Sequence, residues 1–115
     1  MRVAVSSQNF RTVTPHAGKT RRFLIFEVEG ADAPREVERL DLPPGMALHD
    51  YQGTDHPLFT SGLEAIVTGS AGSGFVQRLA RAGVRVYATS ESDPLAAVRA
   101  LAAGEPLPPP TPHAH

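Results

Sequence analysis

Leu63-Glu-Ala-Ile-Val-Thr68, Gly69-Ser-Ala-Gly-Ser-Gly74, Phe75-Val-Gln-Arg-Leu-Ala-Arg-Ala82, Gly83 and Val84-Arg-Val-Tyr-Ala88 follow one another without interruption. The outer blocks are short, apolar and rich in β-branched residues, as buried strands are. The middle block places Phe75, Val76, Leu79 and Ala80 at i, i+1, i+4 and i+5, which is an amphipathic helical stripe. Glycines punctuate both of its ends, and Gly83 supplies the stop. Residues 63–88 therefore read as strand, helix, strand. Two strands joined through a helix run parallel, and their crossover is expected to be right-handed.

Working outward, Arg2-Val-Ala-Val-Ser6 reads as a short buried strand and residues 22–29, Arg-Phe-Leu-Ile-Phe-Glu-Val-Glu, as a longer one ending at Gly30. After the turn-forming Ala31-Asp-Ala-Pro34, residues 35–42 alternate polar and apolar from Glu36 onward, the pattern of a half-exposed edge strand paired as a hairpin with its predecessor. Pro43-Pro-Gly45 closes it. Residues 46–62 show no sustained period and read as loop with about one helical turn near 57–62. The last helix is expected over residues 94–103, with Asp93 as N-cap, Pro94 at the first helical position and Gly104 past the end. Residues 105–115 are proline-rich and read as a disordered tail. The order predicts an α/β domain at 1–104, with a mixed five-stranded sheet, one strand antiparallel, strand one central and helices covering the sheet.

The chain has 115 residues, 41% of them hydrophobic, which suffices for one core and not two. Eleven basic and twelve acidic residues give a net charge of −1, so the balance points to neither nucleic acid nor a membrane surface. Cysteine is absent from the sequence. Disulfides, thiolate nucleophiles and the usual protein ligands of iron–sulfur clusters are thereby excluded, and any metal must be held by N and O donors or arrive in its own ligands. The opening residues read as a strand and not a signal peptide, and no run approaches the roughly 20 apolar residues of a spanning helix. A soluble, cytoplasmic protein is expected.

The candidate site centres on Val13-Thr-Pro-His-Ala-Gly18. Pro15 and Gly18 shape a loop between two strands, and His16 is expected to project from the rim where strand one ends. Imidazole there can ligate a borderline metal, take a proton or hydrogen-bond. Arg11, Lys19, Arg21 and Arg22 flank the loop, as a solvated face or as a positive rim for an anion. The Gly69–Gly74 turn lacks the spacing of a dinucleotide site and the lysine of a P-loop. Close strand-to-helix packing explains its glycines, while the backbone N–H groups near Ser70, Gly72, Ser73 and Gly74 suit an anion. His49, Asp50, Asp55 and His56 match no familiar ligand spacing and read as a solvated loop. His113 and His115 sit in the tail. Ser6 and Ser7 have no neighbouring base, and strand one carries no carboxylate, which argues against a hydrolase and against two-metal nuclease chemistry.

In order and spacing, Thr12-Val-Thr-Pro-His-Ala-Gly18, Phe23-Leu-Ile-Phe26, Ile66-Val-Thr-Gly-Ser-Ala-Gly72, Gly83-Val-Arg-Val-Tyr87 and Ala97-Val-Arg-Ala-Leu-Ala-Ala-Gly104 resemble the NifX-like group of dinitrogenase iron–molybdenum cofactor biosynthesis domains. The resemblance covers most of residues 1–104. It implies a ribonuclease-H-like, three-layer α/β/α fold and a non-catalytic carrier of iron–molybdenum cofactor or an iron–sulfur precursor, acting with nitrogenase or cofactor-biosynthesis proteins. It places the metal ligand at His16. Ala17 stands where the family often has an aromatic, which leaves the imidazole more open.

A lone histidine cannot hold a bare ion tightly, but it can complete a cluster that brings its other ligands. The expected cofactor-binding set is His16, Arg21, Arg22, Gly69, Ser70, Gly72, Ser73 and Gly74, with His16 as metal ligand. The alternative is a regulatory or scaffold domain that takes an anionic metabolite or a protein at the same rim, without metal. Monomer and weak dimer are both compatible with the exposed strand at 35–42.

Overall fold

In the computed structural model, which describes residues 1–30 and 32–110, five strands form one sheet. They are β1 (Arg2–Ser6), β2 (Arg22–Glu27), β3 (Arg35–Asp41), β4 (Ala65–Thr68) and β5 (Arg85–Ala88), in the spatial order β3-β2-β1-β4-β5. β1 is central and pairs antiparallel with β2 and parallel with β4. β2 and β3 form the antiparallel hairpin, with a register shift between Ile25 and Phe26, and β4 and β5 are parallel. Only β2 runs against the rest, as the order of elements requires.

Alternation along the strands builds two apolar layers. Ala4, Phe23, Ile25 and Ile66 face one side, where they meet Phe75 and Leu79 of helix α2 (Ser73–Arg81) and Leu58 of the short helix α1 (Pro57–Thr60). Val3, Val5, Leu24, Phe26 and Val67 face the other, against Ala97 and Val98 of helix α3 (Pro94–Ala102). Helices thus cover both faces of the sheet. α3 starts as its sequence dictates: Asp93 accepts from the Leu95 N–H at 3.0 Å and Pro94 opens the helix.

α2 buries a narrower stripe than its composition suggests. Phe75 and Leu79 are buried, whereas Val76 and Ala80 lie exposed. The half-exposed strand β5 explains this, because the helix packs over β5 at the edge of the sheet.

Beyond Gly104, residues 105–110 form no helix or strand, but Leu107 packs on the α3-side core and the Pro108 carbonyl accepts from the Thr89 hydroxyl at 2.6 Å. The rest of the proline-rich segment, including His113 and His115, lies outside the described residues, as does Ala31 of the β2–β3 turn. Among the described residues no helix is long and apolar enough to cross a membrane.

Candidate functional site

The loops leaving β1 and β4 depart in opposite directions, one to the β2 hairpin and the other through α2 to β5. A crevice at the carboxyl ends of adjacent parallel strands follows wherever strand order reverses in this way. Buried hydroxyls close its floor. The Ser6 hydroxyl bridges the Thr14 carbonyl at 2.6 Å and Thr68 Oγ1 at 2.8 Å, and the Thr68 hydroxyl donates to the Ser70 carbonyl at 3.0 Å.

These contacts stitch the His16 loop to the glycine turn. Gly69 N–H donates to the Thr14 carbonyl at 3.1 Å, Ala17 N–H to the Ser70 carbonyl at 3.0 Å, and His16 N–H to Ser70 Oγ at 2.8 Å. Gly69 is required by proximity, since a Cβ there would stand 3.1 Å from the Pro15 backbone. Gly18 is not among the glycines with positive φ. His16 is the left-handed residue of this loop, with φ 62 and ψ 56, a conformation that disfavours residues with a Cβ and that the Ser70 contacts hold in place. Gly18 instead makes room: a Cβ there would touch Phe75 and His49 at 3.7 and 3.9 Å.

Above the floor lies a cleft of about 380 Å³. Exposed His16 and Lys19 and half-buried Gly18 line one wall, and Gly72, Gly74, Phe75 and Arg78 line another. The third wall is Leu48 and His49, from a single-turn 3-10 helix (Leu48–Asp50). Among the described residues no acidic side chain lines the cleft. Gly72 is the N-cap of α2 and provides no side-chain oxygen, so the positive end of this helix opens beside the cleft. Arg78 reaches across from α2, donating to the Leu48 carbonyl at 2.8 Å and the Tyr51 carbonyl at 2.9 Å, with its guanidinium carbon 5.6 Å from the Phe59 ring centre. It spends hydrogen bonds on carbonyls and keeps its charge at the cleft.

Of the expected binding residues, His16, Gly72 and Gly74 therefore meet in the cleft. Gly69 and Ser70 hold the loop beneath it, and Ser73 is the exposed first residue of α2. Arg21 and Arg22 go elsewhere. Arg21 donates to the Leu42 carbonyl at 3.3 Å. Arg22 pairs with Asp41 at 3.3 Å, donates to the Gln8 carbonyl at 3.2 Å and stacks over Phe10. The reason is alternation: Arg22 shares the parity of Leu24 and Phe26, which face α3, whereas the cleft is on the α2 side. Lys19, His49 and Arg78 take the places assigned to them.

The four-residue polar cluster at 49–56 does not form a metal site. His56 is fully buried. Its Nε2 donates to the Met46 carbonyl at 2.6 Å and its Nδ1 accepts from the Leu58 N–H at 3.1 Å, making it the N-cap of α1 in its neutral form. Burial holds its pKa below the usual 6.5, with the Arg78 charge acting in the same direction. Asp55 bonds the Tyr51 hydroxyl, which lowers the carboxyl and raises the phenol. Among the described residues, no group of three or more His, Asp or Glu side chains could hold a metal ion.

Fold and cleft together define a small α/β domain with an open, cationic, imidazole-bearing crevice at its central strand ends. A family profile described as dinitrogenase iron-molybdenum cofactor matches residues 1–104, and the chain belongs to that family. The crystal structure of PH0822 is similar in fold, with a TM-score of 0.71 and 22% identity over 91% of this chain and 92% of that one. So is a crystal structure from Methanocaldococcus jannaschii provisionally described as a dinitrogenase, with a TM-score of 0.69 and 12% identity over 91% and 90%. A protein from Thermotoga provisionally described as NifB, solved by NMR, has a TM-score of 0.66 and 22% identity over 99% and 97%. No curated protein matches significantly.

Proposed function

We propose that residues 1–104 form a non-catalytic NifX-like carrier domain of ribonuclease-H-like type, which holds a preassembled metallocluster of iron–molybdenum cofactor or iron–sulfur precursor class through His16. The observation that carries this reading is the placement of an exposed histidine, fixed by backbone hydrogen bonds in a strained conformation, on a cleft that among the described residues is lined by two cationic side chains and no carboxylate. A bare divalent ion prefers several anionic oxygen or multiple nitrogen ligands. A cluster with its own sulfides and a net negative charge needs only an open metal position met by imidazole and a positive surround. Family membership supports the same cargo class.

In this reading the protein acts in the cytoplasm, as a monomer or weak dimer, and exchanges its cargo with cofactor-biosynthesis or nitrogenase proteins in nitrogen fixation. Lys19, Arg78 and the uncapped start of α2 also favour a second reading, an anionic metabolite bound without metal. Purification from the native host without oxygen distinguishes them. The carrier reading expects a coloured protein containing iron, whereas colourless, metal-free protein that retains an organic anion supports the second.

A further inference from the structure

We infer that His49 is a second imidazole ligand for the cargo that His16 binds, so that two loops grip one cluster. The inference rests on the carrier reading of the cleft and adds a ligand from a segment with no recognisable pattern. His16 and His49 are both exposed and line the same cleft, and the loops that carry them run so close that a Cβ at Gly18 would stand 3.9 Å from the His49 Cβ. His49 does not hang on a loose loop. Arg78 anchors the residues on either side of it through the Leu48 and Tyr51 carbonyls, and buried Leu48 fixes the turn in the core.

The donor set selects the cargo. Two imidazole nitrogen donors beside Lys19 and Arg78 disfavour a hydrated cation and favour a metal centre embedded in negative charge. One imidazole leaves such a cluster free to pivot. A second converts its bond into an intramolecular one and fixes orientation, which raises affinity at least about tenfold without further contacts.

The test is anaerobic titration of the full chain with isolated iron–molybdenum cofactor, using protein labelled with ¹⁵N in its histidine rings and read by pulsed EPR. Wild type is expected to show two classes of cluster-coupled imidazole nitrogen. His49→Ala and His49→Gln are expected to lose one class and to bind at least about tenfold more weakly, with unchanged thermal unfolding. His16→Ala is expected to lose the other class. If both His49 variants keep wild-type affinity and coupling while His16→Ala loses them, the second ligand is wrong and the carrier reading stands. If wild type binds no cofactor, both fall.

Discussion

His16 N–H donates to Ser70 Oγ across 2.8 Å, which joins the loop after β1 to the loop after β4 at the base of the cleft. The contact stabilises a left-handed φ of 62 at a residue with a Cβ and thereby aims the imidazole. Ser70→Ala is expected to cost about 1 kcal/mol in urea unfolding by loss of this bond. Unchanged stability would show that the loop is held by the carbonyl contacts alone.

His16→Gly removes the left-handed strain. Its stability in water is expected to exceed that of His16→Ala by about 1 kcal/mol, although both lose the candidate ligand. Equal destabilisation by glycine and alanine would contradict the strain assigned to this position.

Gly69→Ala pushes a methyl group against the Pro15 backbone at 3.1 Å. Because both sides of the contact are main chain, relief requires the two loops to part, with an expected cost of about 1–3 kcal/mol. Differential scanning calorimetry should show a lowered Tm, and a Tm equal to that of wild type would mean that the close approach is not enforced.

His56 makes stability depend on pH. Its folded pKa lies below the ordinary 6.5, so between the two values the unfolded chain binds more protons and acidification favours unfolding. Its contribution is fully present above 6.5 and is lost as pH falls through that value towards the lowered folded pKa. Urea midpoints measured from about pH 7 to about pH 5 should fall in wild type and fall less in His56→Gln, relative to each protein's own value at the upper end. The same slope in both proteins would remove His56 as the cause.

The sheet was legible because most of its strands are short apolar runs bounded by turn residues and its helices carry their own stops: Asp93 and Pro94 begin α3, while Gly83 and Gly104 follow α2 and α3 with φ of 80 and 74. Half of the cleft was legible too, since Pro15, His16 and the glycine turn bracket the ends of two predicted strands. His49 was not, because residues 46–62 have no period and their fold is set by contacts distant in sequence, the Arg78 bonds and the buried His56 cap. Arg78 itself looks like any solvated helical arginine until the loop that it holds is in place. Arg22 lies away from the cleft for a reason that the sequence does contain, the parity that puts it on the face of Leu24.

The proposed function depends most on the cargo bond assigned to His16. Anaerobic equilibrium titration with isolated iron–molybdenum cofactor, comparing wild type with His16→Ala at equal ionic strength, measures it directly. The proposed carrier function predicts saturable, stoichiometric binding to wild type and affinity at least about tenfold lower in the variant, equivalent to a loss of about 1.4 kcal/mol or more. Equal affinity in the two proteins would contradict it.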